Sequence, residues 1–333
     1  MLVKKLVKRI SCILAAVAVL AFAAPNPSAA EEKPIVLKGL TPWVMSYYWS
    51  EPYAMFQKMV NKRLKGKLLI SYLGSNEVVP TFEQFEALRN GVIDVALVAA
   101  SYYTGQVPEA SALLYSKVSP TELRKNGYYD LMREVHLEKG GVVYLANVSG
   151  GVGKAFRMFT NEKLDKPDFT GLKFRVTPVY IELVKTLGGT PIVMPPSEIY
   201  TALERGVVDG YGWSYGGIED FGWEEVTKYV IDHPFYAANI SICINADVWN
   251  KLPQDVRDGL EEVAIELEAK AEKWMDNYIA KEDILLRGLG VEFIKFPPAE
   301  GEKFVRTAYE EGWKAYTAKH PEFAAKIRPL SGK

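Results

Sequence analysis

Residues 171–176 read GLKFRV and place an arginine, Arg175, inside a short apolar strand. A buried arginine is costly unless its guanidinium is paired with an anion. One possible partner is the carboxylate of a ligand, held by two charge-assisted hydrogen bonds. The other is a structural ion pair with a nearby acid such as Glu198 or Asp209. Arg175 is therefore either an anion-binding residue or one half of a buried salt bridge.

Aromatic residues cluster after three predicted strands, in the segments TPWVMSYYWS, VALVAASYYTG and GYGWSYGG. In open α/β sheets, ligands bind beyond the carboxyl ends of the strands. Such a set of rings is typical of a cleft that closes on a small molecule with an apolar body. The alternative is that the rings fill a core between two domains. The predicted ligand-contacting aromatic residues are Trp43, Tyr47, Tyr102, Tyr103, Trp213 and Tyr215.

One motif suggests catalysis. Residues 212–216, GWSYG, match the G-x-S-x-G nucleophile elbow, in which Ser214 would need an acid and a histidine later in the chain. His233 follows too closely for the usual order, and His320 lies at the end of a charged terminal segment. An exported serine hydrolase that uses Ser214 is therefore the alternative to a binding protein.

Phosphate and metal sites are not expected. SGGVGK at 149–154 resembles a phosphate-binding loop, but Val148 stands at the earlier glycine position and Ala155 replaces the metal-binding hydroxyl. The whole chain has three histidines and two cysteines, which is too few for a dedicated zinc site of the usual kind. No calcium loop of the EF-hand type is present, although the acidic residues leave a carboxylate site for calcium open as an alternative. We therefore expect no metal and no other cofactor.

The first thirty residues have the pattern of a secretory signal peptide. A basic start is followed by an apolar run over 10–24, which is short for a membrane span, and then by the small residues Ser28 and Ala30. We therefore expect cleavage near Glu31 and export. The basic residues are Lys4, Lys5, Lys8 and Arg9.

Cleavage changes the charge and the cysteine content of the chain. It removes four positive charges from a net charge of −1, which leaves −5. This acidic balance argues against nucleic acid as a partner. It also removes Cys12, so that Cys243 has no partner for an internal disulfide. The remaining length is sufficient for about two domains with large cores.

An internal repeat predicts the architecture. Residues 83–94, EQFEALRNGVID, and 198–209, EIYTALERGVVD, agree at eight of twelve positions when closely similar residues are counted. Each stretch reads as a helix end, a glycine turn and the entry to a buried strand. Two similar α/β halves follow, with mostly parallel sheets covered on both faces and joined by crossing strands.

The predicted elements alternate along the chain. A long amphipathic helix from Pro253 to Arg287 is indicated by apolar residues at helical spacing, which are Leu260, Val263, Leu267, Ala271 and Trp274. The strands are predicted at 34–40, 68–72, 93–100, 142–147, 173–177, 190–194 and 207–211, and the other helices near 51–64, 81–89, 121–138, 179–187 and 197–205.

From about residue 35 to residue 300 the chain resembles the extracytoplasmic solute-binding proteins of TRAP transporters, the DctP family. The resemblance rests on the order and spacing of GLKFRV, GGTPIVMPPSEIYTALERGVVDG and INADVWNKLP. It implies an α/β periplasmic binding protein fold with two lobes, a hinge and a long helix spanning both lobes. Lobe I would comprise 31–153 plus about 238–280, and lobe II 154–237 plus about 281–333, with the ligand in the cleft between them.

The resemblance also implies a function. The protein would be a monomeric periplasmic receptor, not an enzyme, which captures a small organic acid and delivers it to a sodium-driven TRAP membrane permease. We expect a monocarboxylate, with an aromatic or bulky apolar body as one option. In such proteins the arginine that corresponds to Arg175 clamps the ligand carboxylate. A second arginine, which corresponds to Arg157 in KAFRMFT, often assists.

Two departures from the family pattern narrow the ligand class. Many relatives have an asparagine where this chain has Trp213. Some receptors for α-keto acids have Glu-Trp there, with the glutamate holding a metal, and this chain has Gly212 in place of that glutamate. Ligand classes that depend on the asparagine or on the metal are therefore not expected. A receptor of the same shape that serves a signalling sensor is a further alternative.

Overall fold

The structure is a computed structural model that describes residues 33–149, 156–238 and 240–332. The predicted signal peptide at 1–30 lies outside the described residues. Within these ranges, no helix is both long and apolar enough to cross a membrane.

The strands form two sheets. The first sheet has the order β2-β1-β3-β10-β4 and the second the order β11-β9-β5-β8-β6-β7. We call the parts of the molecule built around them the first lobe and the second lobe. The bounds are β1 (Ile35–Leu40), β2 (Leu68–Gly74), β3 (Val95–Ala99), β4 (Val142–Asn147), β5 (Phe156–Thr160), β6 (Lys173–Val176), β7 (Thr190–Val193), β8 (Gly210–Ser214), β9 (Tyr229–Phe235), β10 (Ile240–Asn245) and β11 (Glu292–Ile294).

Both sheets are more mixed than the sequence predicts. β1 pairs in parallel with β2 and β3, but β10 runs antiparallel to β3 and β4. In the second sheet β6 is parallel to β7 and β8, whereas β5 is antiparallel to β8 and β9. The reason is the path of the chain. β5 and β10 each enter a sheet from the other lobe, at the edge where the parallel strands end, and must therefore run in the opposite direction.

The internal repeat corresponds to one corner that is built twice. In the first lobe, Asp94 Oδ2 accepts a hydrogen bond from Lys38 N at 2.7 Å, and Asp94 N donates to Lys38 O. In the second lobe, Asp209 Oδ2 accepts from Lys173 N at 2.8 Å, and Asp209 N donates to Lys173 O. The two lobes are thus similar α/β units, as predicted. Because Asp209 belongs to the corner, the predicted strand at 207–211 begins three residues later, as β8.

The helices cover the sheets. The five residues of β3 are all buried, as expected for a strand with both faces covered. The helix bounds are α1 (Glu51–Arg63), α2 (Gln84–Arg89), α3 (Pro120–Leu123), α4 (Tyr128–Gly140), α5 (Ile181–Thr186), α6 (Ile199–Glu204), α7 (Ala246–Lys251), α8 (Gln254–Gly288), α9 (Pro298–Lys319) and α10 (Pro321–Ile327).

The helix predicted near 121–138 is two helices, α3 and α4. Gly127, which directly precedes α4, has φ 88°, a left-handed conformation that interrupts the helical path between the two. The first of them, α3, is capped by Ser119, whose Oγ accepts a hydrogen bond from Glu122 N at 3.3 Å.

The long helix α8 runs from the first lobe to the strand β11 of the second. Of the residues predicted to face the core, Leu260, Val263, Leu267 and Ala271 are buried, and Trp274 is half-buried. The end of the chain returns to the first lobe, where Lys117 N donates to Ser331 O at 2.7 Å. The lobe boundaries given above stay a prediction.

Candidate functional site

A small cavity lies between the carboxyl ends of the two sheets. Its volume is about 20 Å³, and one water molecule needs about 10–15 Å³. Arg175 is the only charged side chain among the described residues that line it. The lining residues are Trp43, Ala99, Ser101 and Tyr102 from the first lobe, Phe156, Arg175, Thr177, Tyr180, Trp213 and Ser214 from the second, and Ala238 and Ile240 where the chain crosses between them.

Arg175 is fully buried and anchored to the backbone of its own lobe. Its Nε donates to Met194 O at 3.0 Å, and Nη1 lies 3.3 Å from both Gly212 O and the Tyr180 hydroxyl. Nη2 makes no hydrogen bond of regular geometry with any described residue, although the Tyr102 hydroxyl lies close enough to the guanidinium to interact with it. The guanidinium is therefore held rigidly by two of its nitrogens and presents the third to the cavity.

The alternative of a structural ion pair for Arg175 is wrong. No carboxylate of the described residues lies within ion-pair distance of its guanidinium. Asp209 is engaged by the backbone of Lys173 at the corner, and Glu198 is exposed on the surface.

Two further buried polar atoms at the cavity lack hydrogen bonds of regular geometry with the described residues. They are Nε1 of Trp43, which can only donate, and Oγ1 of Thr177, which can donate or accept. A buried polar group without a partner costs about 1–3 kcal/mol. Together with Arg175 Nη2, three atoms without regular hydrogen bonds belong to residues that line one cavity, with Trp43 on the first lobe and Thr177 and Arg175 on the second, and the Tyr102 hydroxyl interacts with both Trp43 and Arg175.

Aromatic rings form the walls. The ring of Trp213 lies 5.4 Å from the guanidinium of Arg175 and meets the ring of Trp43 edge-on at 6.3 Å. Trp213 Nε1 donates to the Tyr47 hydroxyl at 2.8 Å, a hydrogen bond between the lobes. Burial raises the pKa of Tyr102, an effect that the charge of Arg175 partly offsets, so the phenol is neutral at ordinary pH.

The structure brings four of the predicted site residues together at the cavity and places the others outside its lining. Trp43, Tyr102, Arg175 and Trp213 line it. Tyr47 lies one layer behind, as the acceptor for Trp213. Tyr103 is inside the first lobe, stacked on Phe85 at 4.0 Å with its hydroxyl 2.9 Å from His136 Nε2.

Arg157 and Tyr215 contact each other in a group that is separate from the cavity lining. Arg157 Nε lies 3.6 Å from Asp232 Oδ1, and its guanidinium lies 4.3 Å from the centre of the Tyr215 ring. Burial lowers the pKa of Arg157, and the charge of Asp232 opposes this effect. Phe156, the neighbour of Arg157 in β5, lines the cavity instead.

Sequence reasoning missed Phe156, Thr177 and Tyr180. Thr177 carried a usable signal, because side chains two residues apart in an extended segment point to the same side and Thr177 follows Arg175 by two. Tyr180 carried none, since its role depends on the short 3-10 helix Pro178–Tyr180, which turns its hydroxyl toward Gly212 O at 2.6 Å.

The geometry does not support Ser214 as a nucleophile. Ser214 ends β8 and lines the cavity, but no histidine is among the described residues that line it. His233 Nε2 accepts a hydrogen bond from Phe296 N at 2.8 Å, and His320 Nδ1 lies 3.7 Å from Glu109 Oε1.

The segment 149–154, which resembles a phosphate-binding loop, lies almost entirely outside the described residues. Across all the residues that the structure describes, there is no cluster of three or more side chains that could hold a metal ion.

Comparison with known proteins gives one consistent result. The family model "Bacterial extracellular solute-binding protein, family 7" (DctP) matches residues 45–320. A solute-binding protein of Albidiferax ferrireducens is 26% identical over 291 residues, which cover 83% of each chain. The C4-dicarboxylate-binding periplasmic protein DctP of Rhodobacter capsulatus is 29% identical over 287 residues, which cover 84% of this chain and 83% of the relative.

The fold agrees with a solved relative. The crystal structure of a TRAP periplasmic solute-binding protein from Desulfovibrio salexigens, with bound orotic acid, matches with a TM-score of 0.78 at 20% identity and covers 89% of this chain and 96% of that one. The family model matches most of the chain, and the solved structure has the same fold of two α/β lobes. The chain therefore belongs to the DctP family, the extracellular solute-binding receptors of TRAP transporters for small organic acids.

Proposed function

We propose that this receptor binds a small monocarboxylate with a flat apolar body and that Arg175 clamps the carboxylate. One observation carries the proposal. Arg175 Nη2, Trp43 Nε1 and Thr177 Oγ1 are buried polar atoms without regular hydrogen bonds among the described residues, and all three belong to residues that line the same cavity. A carboxylate between them would supply acceptors to all three, and its charge would match that of Arg175.

The lining favours one carboxylate over two. A dicarboxylate would bring a second charge into a cavity where Arg175 is the sole charged side chain of the described lining, and an unpaired buried charge is strongly unfavourable. A polyhydroxylated sugar acid would place several hydroxyl groups against Phe156, Trp213, Ala238 and Ile240. Each hydroxyl left without a partner would cost about 1–3 kcal/mol. A flat apolar body would instead stack on the rings.

The remaining features of the proposed function follow from this site. Binding needs affinity and closure of the lobes but no nucleophile, so we propose a receptor without catalytic activity. The bound acid is passed to the membrane permease of a TRAP transporter. The receptor acts as a monomer in the periplasm after removal of the signal peptide.

A thermal-shift panel tests the proposal on the chain from residue 31. The panel contains benzoate, phenylpyruvate, orotate, 2-oxobutanoate, succinate and gulonate. We expect stabilisation by one or more of the first four and none by succinate or gulonate. A ligand at 100 times its dissociation constant stabilises the folded state by about 2.7 kcal/mol. Stabilisation by succinate or gulonate alone would overturn the monocarboxylate proposal.

A further inference from the structure

The long helix α8 has one face that is open to solvent along most of its length. Its opposite face packs on the lobes through residues such as Leu260, Leu267 and Ala271. On the open face, exposed residues follow one another at spacings of three, four and four, which keep them on one side of a helix. We call these residues the outer stripe. They are Glu262, Ile265, Ala269, Lys273, Asp276, Ala280, Ile284 and Arg287.

Two large apolar side chains of the outer stripe are in contact with water. Ile265 is 54% exposed and Ile284 is 76% exposed, the highest value for a large apolar side chain among the described residues. A single exposed isoleucine is ordinary on a protein surface. These two, however, stand at equal distances from the middle of the outer stripe, and each is followed inward by an alanine, Ala269 or Ala280. Small side chains between larger ones allow a second helix to approach closely.

The charged residues of the outer stripe have the same symmetry, with opposite signs. Lys273 and Asp276 lie at equal distances on either side of its middle, and so do Glu262 and Arg287. When a second copy of α8 is laid antiparallel on the first about this middle, Lys273 of each copy meets Asp276 of the other. Glu262 likewise meets Arg287, isoleucine meets isoleucine and alanine meets alanine. The outer stripe is therefore complementary to itself in both charge and apolar character.

One pair beside the outer stripe has like charges in this register. Glu266 would face Asp283 of the other copy, but each is already engaged within its own chain. Glu266 accepts hydrogen bonds from Arg63 at 2.7 Å and from Lys270 at 2.6 Å, and Asp283 accepts one from the Tyr215 hydroxyl. This mismatch lies at the solvent-exposed margin, where salt screens it.

We propose that the outer stripe is a self-association surface, on which two copies of this receptor pair through antiparallel α8 helices. The stripe is about 38 Å long, at about 1.5 Å per residue. A standard stable interface has about 20–30 residues a side, so eight residues support a weak and reversible pairing with a dissociation constant above about 1 µM. The monomer of the proposed function is the dissociated form of this pair.

The self-association surface is separate from the ligand site. The structure describes α8 throughout, and none of its residues lines the cavity around Arg175. The pairing therefore rests neither on the proposed ligand class nor on the carboxylate clamp.

Sedimentation equilibrium at low ionic strength tests the pairing on the chain from residue 31, from about 10 µM to about 500 µM protein. We expect the wild type to change from monomer to dimer over this range. The central charges are the target, because Glu262 already lies 3.3 Å from Arg63 of its own chain. Lys273→Glu puts like charges together at two places in the dimer and should raise the dissociation constant about tenfold or more. Asp276→Lys should do the same.

Lys281→Glu is the matched control. Lys281 is an exposed residue of the same helix outside the outer stripe, so this variant has the same change of net charge and should pair like the wild type. If either variant of the central pair does not fold, Ile284→Ser, which shortens the most exposed apolar side chain of the stripe, should also raise the dissociation constant.

A mixture shows whether the charges meet across the two copies. Lys273→Glu and Asp276→Lys should pair with each other more tightly than either pairs with itself, because each supplies the charge that the other lacks. The double variant with both exchanges should pair like the wild type. A wild type that stays monomeric up to about 500 µM, an equal loss in Lys281→Glu, or a mixture that associates no better than its components would each overturn the proposal. None of these measurements uses a ligand, so a failed ligand class leaves their outcome unchanged.

Discussion

At the scale of single residues, Arg175 is the centre of the site. Arg175→Lys keeps the positive charge but loses the planar fork, so we expect it to weaken binding of the acid found in the thermal-shift panel by about 2 kcal/mol or more. Calorimetry measures the affinity. Some loss of melting temperature is also expected, because Arg175 donates to Met194 O and Gly212 O. Arg157→Lys is the matched control, and an equal loss of affinity in that variant would contradict a clamp formed by Arg175 alone.

Tyr47 is expected to position Trp213. Tyr47→Phe removes the acceptor of the hydrogen bond from Trp213 Nε1 and leaves a buried donor unpaired in the closed form, at a cost of about 1–3 kcal/mol. Affinity for the same acid should fall by that amount, mainly through faster dissociation in stopped-flow measurements. Tyr103→Phe also removes one buried hydroxyl, but its partner His136 is in the same lobe, so it should lower stability without changing affinity. Equal effects of the two variants on affinity would contradict the positioning role.

At the scale of elements, the long helix α8 is fixed to the first lobe by a buried ion pair. Glu268 accepts two hydrogen bonds from Arg124, at 2.6 and 2.9 Å, and one from Asn147 N at 2.8 Å. Glu268→Ala leaves Arg124 without its carboxylate, so the free energy of unfolding in urea should fall by about 3–5 kcal/mol. Glu262→Ala on the same helix breaks an exposed pair with Arg63 and should cost about 1 kcal/mol or less. A similar loss in both variants would show that the pair at Glu268 is not special.

The elements themselves were largely predictable, and the direction of two strands was not. The repeat at 83–94 and 198–209 identifies both corners because the same helix, glycine turn and aspartate recur in each. Periodicity likewise identifies α8. β5 and β10 carry no local signal for running antiparallel, because their direction is set by the lobe from which the chain arrives. The site was only partly predictable, because it also depends on contacts between residues that are far apart in the sequence. Arg175 and Trp213 lie at strand ends, whereas the position of Arg157 depends on its contact with Asp232 of a distant strand.

At the scale of the whole molecule, the two lobes are joined where the chain passes from β4 to β5 and from β9 to β10, and by α8. The cavity has walls from both lobes and a volume of about 20 Å³, too small for an organic acid. We therefore expect ligands to enter when the lobes are apart and the lobes to close as rigid bodies around them. Small-angle scattering with and without a saturating acid from the thermal-shift panel should show a smaller radius of gyration when the acid is bound. Trp213→Ala removes one wall of the cavity and the hydrogen bond to Tyr47 but none of the chain connections between the lobes, so it should bind more weakly by about 1–3 kcal/mol and still close at saturation. A scattering profile that does not change at saturation in either the wild type or Trp213→Ala would contradict closure of the lobes on the ligand.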